Sequence, residues 1–448
     1  MTELDARLAD AVAAGDAEAA GDLLEAGADP DAAGEDGLPV LCAAVAAYAV
    51  ETVEALVEAG ADPDRLLPDG TTPMLRAVEG GSPAVVSAFL DERSTPLPEA
   101  ERDRLLVAAR WWYERGAEGE LRRLTGADGP ADTRWVRDGA EDRVEEVTLG
   151  GRTVRGGHGA VLTQLEWGYR ILTPVGELMA RAVRYADGEG AEEHVDRSAA
   201  RWVLLSRRSA ETWREVVAYH RHPSPAHRAF VADYLALDAL MPGVTPHHRW
   251  YEKRRAELLP GWADTEPDAG VLARVLRVVT EEELPEAREF GLRYAGHPDP
   301  RVRSRVPWMF DQPLDPETTR AVCGLARDPD AGVRVAAAGV LGGEELGEQD
   351  RAVLLTLLGD ADPQVRNRAV RATARGDDCS PEITEALAEL LDAEEQDIRL
   401  SAAYGLALRD DPRTPEAYAR VGPLGPEYEH DTRPDGLWRW RVRNEPNG

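Results

Sequence analysis

The sequence predicts an all-α protein made of two α-solenoids in tandem, joined by a short segment that carries a β-hairpin. Two periodicities carry that expectation. The heptapeptide EAGADPD occurs at Glu25–Asp31 and again at Glu58–Asp64, 33 residues on, and Asp36-Gly37 recurs in the same register as Asp69-Gly70. In the C-terminal half Val302, Val333, Val365 and Ile398 follow one another at steps of 31, 32 and 33 residues, each between an acidic turn and an arginine. Fixed periods of this size mark stacked supersecondary units that bury their cores only against neighbours.

The N-terminal units each open at a turn, run through one apolar helix, break, and run through a second. Proline fits the first helical turn, where its missing N–H would be unpaired anyway. The glycine of GAD follows the second helix, where a left-handed cap is wanted. Asp69-Gly70-Thr71-Thr72-Pro73-Met74-Leu75 and the GADPD turns resemble the ankyrin repeat. The first unit runs from Glu3 to about Glu35, and the third loses its GAD, which would fall at Arg93. GAD returns at Gly126–Asp128 and closes a degenerate fourth unit, so the ankyrin-like domain is placed at 1–128. The histidine of the family pattern is absent, with Cys42 and Leu75 in its place.

The second array repeats HPDPRVRSRV, DPDAGVRVAA, DADPQVRNRA and EEQDIRLSAA, with amphipathic helices between. Val271 stands 31 residues upstream of Val302, followed by Leu272 in place of the arginine, and HPSPAHRAFV (His222–Val231) reads as an earlier copy. This resembles HEAT-like repeats of the bilin-lyase type over 196–420. The resemblance implies that Arg303, Arg334, Arg366 and Arg399 tie adjacent units together.

Residues 129–195 form the joining segment. Val144–Leu149 and Arg152–Arg155 flank Gly150-Gly151, a two-residue hairpin signal. Gly156-Gly157-His158-Gly159 then leads into a helix expected from about Ala160 to Leu172. A strand, a glycine loop and a helix N-terminus can cradle an anion, although neither G-x-G-x-x-G nor G-K-[ST] is present. In the tail, 421–448, Leu437–Arg443 alternates Trp438, Trp440 and Val442 with arginines. Period two predicts an extended strand, docked against the protein's own surface.

The formal charge is −31, from 83 acidic and 52 basic residues, and Lys253 is the single lysine. An acidic surface repels phosphate backbones, so nucleic acid is not expected as a partner. Three separated cysteines, Cys42, Cys323 and Cys379, suit a reducing compartment. No signal peptide or membrane span is expected, and a cytoplasmic location follows. H-E-x-x-H, G-x-S-x-G and Walker motifs are missing. The D-x-D pairs Asp29/Asp31 and Asp62/Asp64 lack the glutamate of a calcium loop, because Val40 and Pro73 stand at the twelfth position. His220, His222 and His227, and His247-His248, lack a cysteine or carboxylate at ligand spacing. No catalytic residue, metal or cofactor is therefore expected.

What remains is a non-enzymatic scaffold that binds a protein or peptide. Residues 1–100 hold 21 acidic and 4 basic residues. Asp31, Glu35, Asp36, Asp64 and Asp69 are expected along one edge of the ankyrin stack, where they would attract a partner with a basic patch. The alternative is an enzyme or nucleic-acid binder using the concave face of the HEAT-like array, in the manner of a lyase or an alkylpurine glycosylase. A strongly positive concave face would favour that alternative.

Overall fold

The computed structural model describes residues 2–34, 37–91, 97–186, 188, 190–240, 246–341 and 347–444. Among them are twenty-five α-helices and three β-strands. The chain forms two compact units, Met1–Tyr234 and Leu235–Gly448. Repeat periodicity instead divides the sequence at 128, 195 and 420. The difference arises because packing, not period, defines a compact unit.

The first unit opens with four helix pairs: α1 (Glu3–Ala14) and α2 (Ala17–Glu25), α3 (Val40–Ala46) and α4 (Val50–Glu58), α5 (Pro73–Gly80) and α6 (Pro83–Asp91), and α7 (Glu99–Arg115) and α8 (Ala117–Thr125). First helices stack on first helices and, through the third pair, second on second, giving two layers. The caps follow the sequence. Thr2 and Asp5 form a capping box on α1, and Thr72 accepts from the Leu75 N–H with Pro73 at the first turn of α5.

Strands β1 (Asp132–Arg137), β2 (Arg143–Leu149) and β3 (Arg152–Arg155) make an antiparallel sheet in that order. Gly150 and Gly151, with φ of 59° and 77°, supply the turn of the expected hairpin. Strand β1 was not legible in DTRWVR, whose side chains are mostly exposed and whose place is set by pairing with β2. Helix α9 spans His158–Gly168, rather than Ala160–Leu172, and ends before Arg170 at φ 62°. Its Val161, Leu162 and Leu165 join one continuous apolar core that begins at Leu8, so α9 completes the stack of the first four pairs. Helices α10 (Val175–Ala182), α11 (Val195–Ser206), α12 (Ala210–Ala218) and α13 (Pro225–Leu240) follow.

The second unit comprises α14 (Pro246–Thr265), α15 (Ala269–Glu281), α16 (Ala287–Tyr294), α17 (Pro300–Arg303), α18 (Pro316–Leu325), α19 (Ala331–Val340), α20 (Glu348–Leu358), α21 (Pro363–Arg375), α22 (Pro381–Glu389), α23 (Gln396–Leu408), α24 (Thr414–Val421) and α25 (Thr432–Asn444). Helices α15, α17, α19, α21, α23 and α25 pack in succession as one layer. The acidic turns are their N-caps: Asp268, Asp299, Asp330 and Asp362 each accept from a backbone N–H in the first turn.

The tail corrects the sequence expectation. Leu437–Arg443 lies in the helix α25, not in a strand. Leu437 and Trp440, three residues apart, share one helical face and are buried in a core with Leu400, Ala403 and Leu406 of α23. The Trp440 indole N–H also donates to Asp410 at 3.0 Å. A helix satisfies its backbone groups internally, whereas a strand here would need an unpaired sheet edge. The alternation of Trp and Arg therefore did not decide the conformation.

Candidate functional site

The repeated GADPD turns are wired together through their carboxylates. The Asp29 N–H donates to Asp5 Oδ1 at 3.1 Å, and the Asp31 N–H to Asp29 Oδ1 at 3.0 Å. Across the repeat boundary the Asp62 N–H donates to Asp31 Oδ1 at 3.1 Å, and the Asp64 N–H then donates to Asp62 Oδ1 at 2.9 Å. This ladder explains why the same seven residues occur twice. Asp31 is a brace between turns, half-buried, as Asp64 is; Asp29, Asp62 and Asp69 are the exposed carboxylates. Asp29 and Asp62 were missed as edge residues. Their signal was the first position of each D-P-D, where a carboxylate turns back on the N–H two residues later.

Asp69 accepts from the Thr71 hydroxyl at 2.6 Å, the Thr71 N–H at 2.9 Å and Arg76 Nη2 at 2.9 Å. The Thr71 hydroxyl and then its N–H hold the carboxyl down at about 2. Glu35 and Asp36 lie outside the described residues.

The repeating arginines of the second array bind neighbouring turns. Arg303 meets Asp328 through Nε–Oδ2 at 2.7 Å and Nη2–Oδ1 at 2.8 Å, while its Nη1 donates to the carbonyls of His297 and Pro298. Arg334 repeats this geometry on Asp360, at 2.8 and 2.9 Å, with its Nη1 on the Asp328 and Pro329 carbonyls. Arg366 reaches Glu395 at 2.7 Å, and Arg399 the carbonyl of Arg420 at 3.1 Å. Arg228 was missed. Its Nη1 donates to the His222 and Pro223 carbonyls at 2.9 and 3.0 Å, and the shared His-Pro, six and five residues before the arginine, was the signal.

The glycine loop does cradle a carboxyl group, and that group is the protein's own Asp196. The Ala160 N–H, in the first turn of α9, donates to Asp196 Oδ1 at 2.6 Å. A Cβ on Gly159 would stand 2.3 Å from Asp196 Oδ2, so only glycine admits the carboxylate here. Asp196 is 1% exposed, and burial pushes its carboxyl up to about 7 despite the N–H. Beside it, burial lowers His194 to about 4; its ring stacks on Tyr185 with centroids 4.1 Å apart. His158 is held in the same neutral state, also at about 4, by burial. It stacks on Trp112 at 4.8 Å, and its Nε2 lies 3.1 Å from the Glu79 carbonyl.

A raised carboxyl contributes stability below its unfolded value of about 4 that is lost as pH rises through the folded one. Asp196→Asn is therefore expected to remove a decline in stability between pH of about 4 and about 7. Urea midpoints of wild type and variant across that range measure it. Parallel profiles would contradict it.

The His222 and His227 rings lie tilted at 30° with centroids 3.9 Å apart, and Tyr219 stacks 5.7 Å from each. His220 contacts the Val217 carbonyl at 2.7 Å. The His247 and His248 side chains lie outside the description. Among the described residues no group of three or more His, Cys, Asp and Glu is arranged to hold a metal ion. No described helix is long and apolar enough to cross a membrane.

Residues 8–97 match the family of ankyrin repeats, in three copies. No curated protein matches the chain. Among solved structures it is similar to YibA of E. coli, at 17% identity over 61% of this chain and 97% of that one, with a TM-score of 0.43. It is also similar to an engineered protein at 13% identity, over 95% of this chain and 100% of that one, with a TM-score of 0.26.

Proposed function

We propose that the chain is a non-enzymatic interaction scaffold whose ankyrin repeats capture a protein or peptide through a basic patch, in the cytoplasm. Ankyrin repeats generally mediate protein–protein interaction, and the observation that favours a basic partner is the carboxylate ladder. Asp29, Asp62 and Asp69 stand exposed on consecutive turns, fixed by backbone hydrogen bonds. Charges fixed in advance lose little entropy when a partner arrives, and their summed field steers a cation inward. The helix pairs of the second array are read as HEAT-like, extending the scaffold.

The test is fluorescence anisotropy with a labelled octalysine peptide. Wild type is expected to bind with an affinity that falls steeply with salt. Glu35→Lys, Asp36→Lys and Asp62→Lys together should weaken binding about tenfold and flatten the salt dependence. Binding unchanged by reversal would leave the acidic edge as a solvated face.

A further inference from the structure

Against a net charge of −31, arginines of successive helices in the second unit come close to one another or to an exposed tryptophan. Arg274 and Arg277 project from α15, Arg305 follows α17, and Arg368 projects from α21. Arg305 is half-buried, and its Nε is buried without a hydrogen-bond partner. Burial, then the like charges of Arg277 and Arg274, lower its pKa; Glu281 opposes them. Three residues on, Trp308 is 42% exposed and stands under the Arg368 guanidinium, 5.3 Å from the ring centroid. Gly339 of α19 makes room for both: a Cβ there would meet the Trp308 ring and Arg368 Nη2, each at 2.7 Å. Arg274, Arg277 and Arg305 stand close as like charges, and Glu281, 3.6 Å from Arg277 Nε, offsets only part of this; with the buried Arg305 Nε unsatisfied, an external anion relieves the remainder.

We propose that this face of the second unit binds an acidic peptide segment, its carboxylates held by Arg274, Arg277, Arg305 and Arg368 and an apolar side chain or peptide plane seated on Trp308. The dimensions suit an extended segment. Packed helices lie about 8–10 Å apart, so α15 to α21 spans roughly 25 Å, or about seven to eight extended residues. Arginine forks match carboxylates bidentately, which favours several carboxylates along one chain. A nucleic acid fits less well. The acidic N-caps Asp268, Asp299, Asp330 and Asp362 mark the same helix starts, and non-specific binding of single strands uses a continuing basic groove with successive stacking aromatics. This surface is separate from the acidic turns of the ankyrin repeats and does not depend on their role.

The experiment is anisotropy of labelled octaglutamate and of a labelled single-stranded octanucleotide on the full chain. Octaglutamate is expected to bind saturably, more tightly than the oligonucleotide, and more weakly as salt rises. Arg305→Gln with Arg368→Gln should cost about tenfold in affinity, and Trp308→Ala several-fold, with unchanged melting temperatures. Arg301→Gln, which removes the arginine paired to Asp299 at the helix start, should leave binding unaltered. Absence of saturable octaglutamate binding overturns the proposal, as does binding indifferent to the glutamine substitutions. Tighter binding of the oligonucleotide also overturns it, and assigns the face to nucleic acid.

Discussion

Gly81→Ala is expected to destabilise the N-terminal unit by about 2–5 kcal/mol, while Gly15→Ala costs about 1–2 kcal/mol. The two glycines have the same backbone, φ 73° and ψ 23°, and each ends the first helix of its pair. An L-residue in that left-handed conformation costs about 1–2 kcal/mol at either site. Their surroundings differ. A Cβ at Gly15 meets nothing within 4 Å, whereas at Gly81 it would stand 2.0 Å from the Arg155 carbonyl oxygen and 2.4 Å from the His158 ring. The carbonyl belongs to β3 and the ring is packed on Trp112, so neither can rotate aside. Backbone must move, and overpacking of this kind adds about 1–3 kcal/mol. The Gly157 N–H, which donates to the Gly81 carbonyl at 3.1 Å, would be displaced with it. Urea unfolding of the full chain measures both variants. Equal shifts at the two glycines would mean that the sheet and α9 do not press on the stack.

Arg334→Ala is expected to cost about 2–3 kcal/mol. The arginine side chain is 17% exposed and its partner Asp360 12%, and the truncation strands that carboxylate together with two carbonyls. Arg366→Ala should cost less, because Glu395 is 44% exposed and water replaces the lost contact. Acid gives an independent readout. The Arg334 guanidinium is the largest cause holding the Asp360 carboxyl below its ordinary range. A depressed carboxyl contributes stability above its unfolded value of about 4, and this is lost as pH falls through the folded one. Wild type should therefore lose its advantage over Arg334→Ala as the solution is acidified. A melting temperature unmoved by Arg334→Ala would contradict the brace.

Much of the architecture is local and therefore legible in sequence. Helix pairs, caps and turns repeat because each unit faces the same environment as the last. Period, N-cap residue and glycine stop could be read off directly. The Gly150-Gly151 hairpin was legible for the same reason: a two-residue turn needing positive φ has few spellings. Arg228 was legible too, in its His-Pro context, but the role is read from sequence only for copies with the order acidic turn, β-branched residue, arginine.

The tail and the candidate site depended on tertiary structure. LWRWRVR satisfies period two, yet the apolar face offered by α23 and the backbone's need for hydrogen bonds make it a helix. The edge residues divided in a way no spacing specifies: Asp31 turns inward to the next repeat while Asp29 and Asp62 face solvent. The carboxyl group seated in the glycine loop is that of Asp196, 37 residues beyond Gly159, brought there by the packing of α11 on α9. Arg274 and Arg277 share α15, but Arg305 comes beside them, and Arg368 over Trp308, only when helices of different repeats stack. The sequence by itself determined the repeats, because short-range geometry and capping chemistry fix them residue by residue. Which charges are spent on the protein and which face outward was decided by the tertiary structure, because burial and like-charge proximity arise only once distant helices are packed side by side.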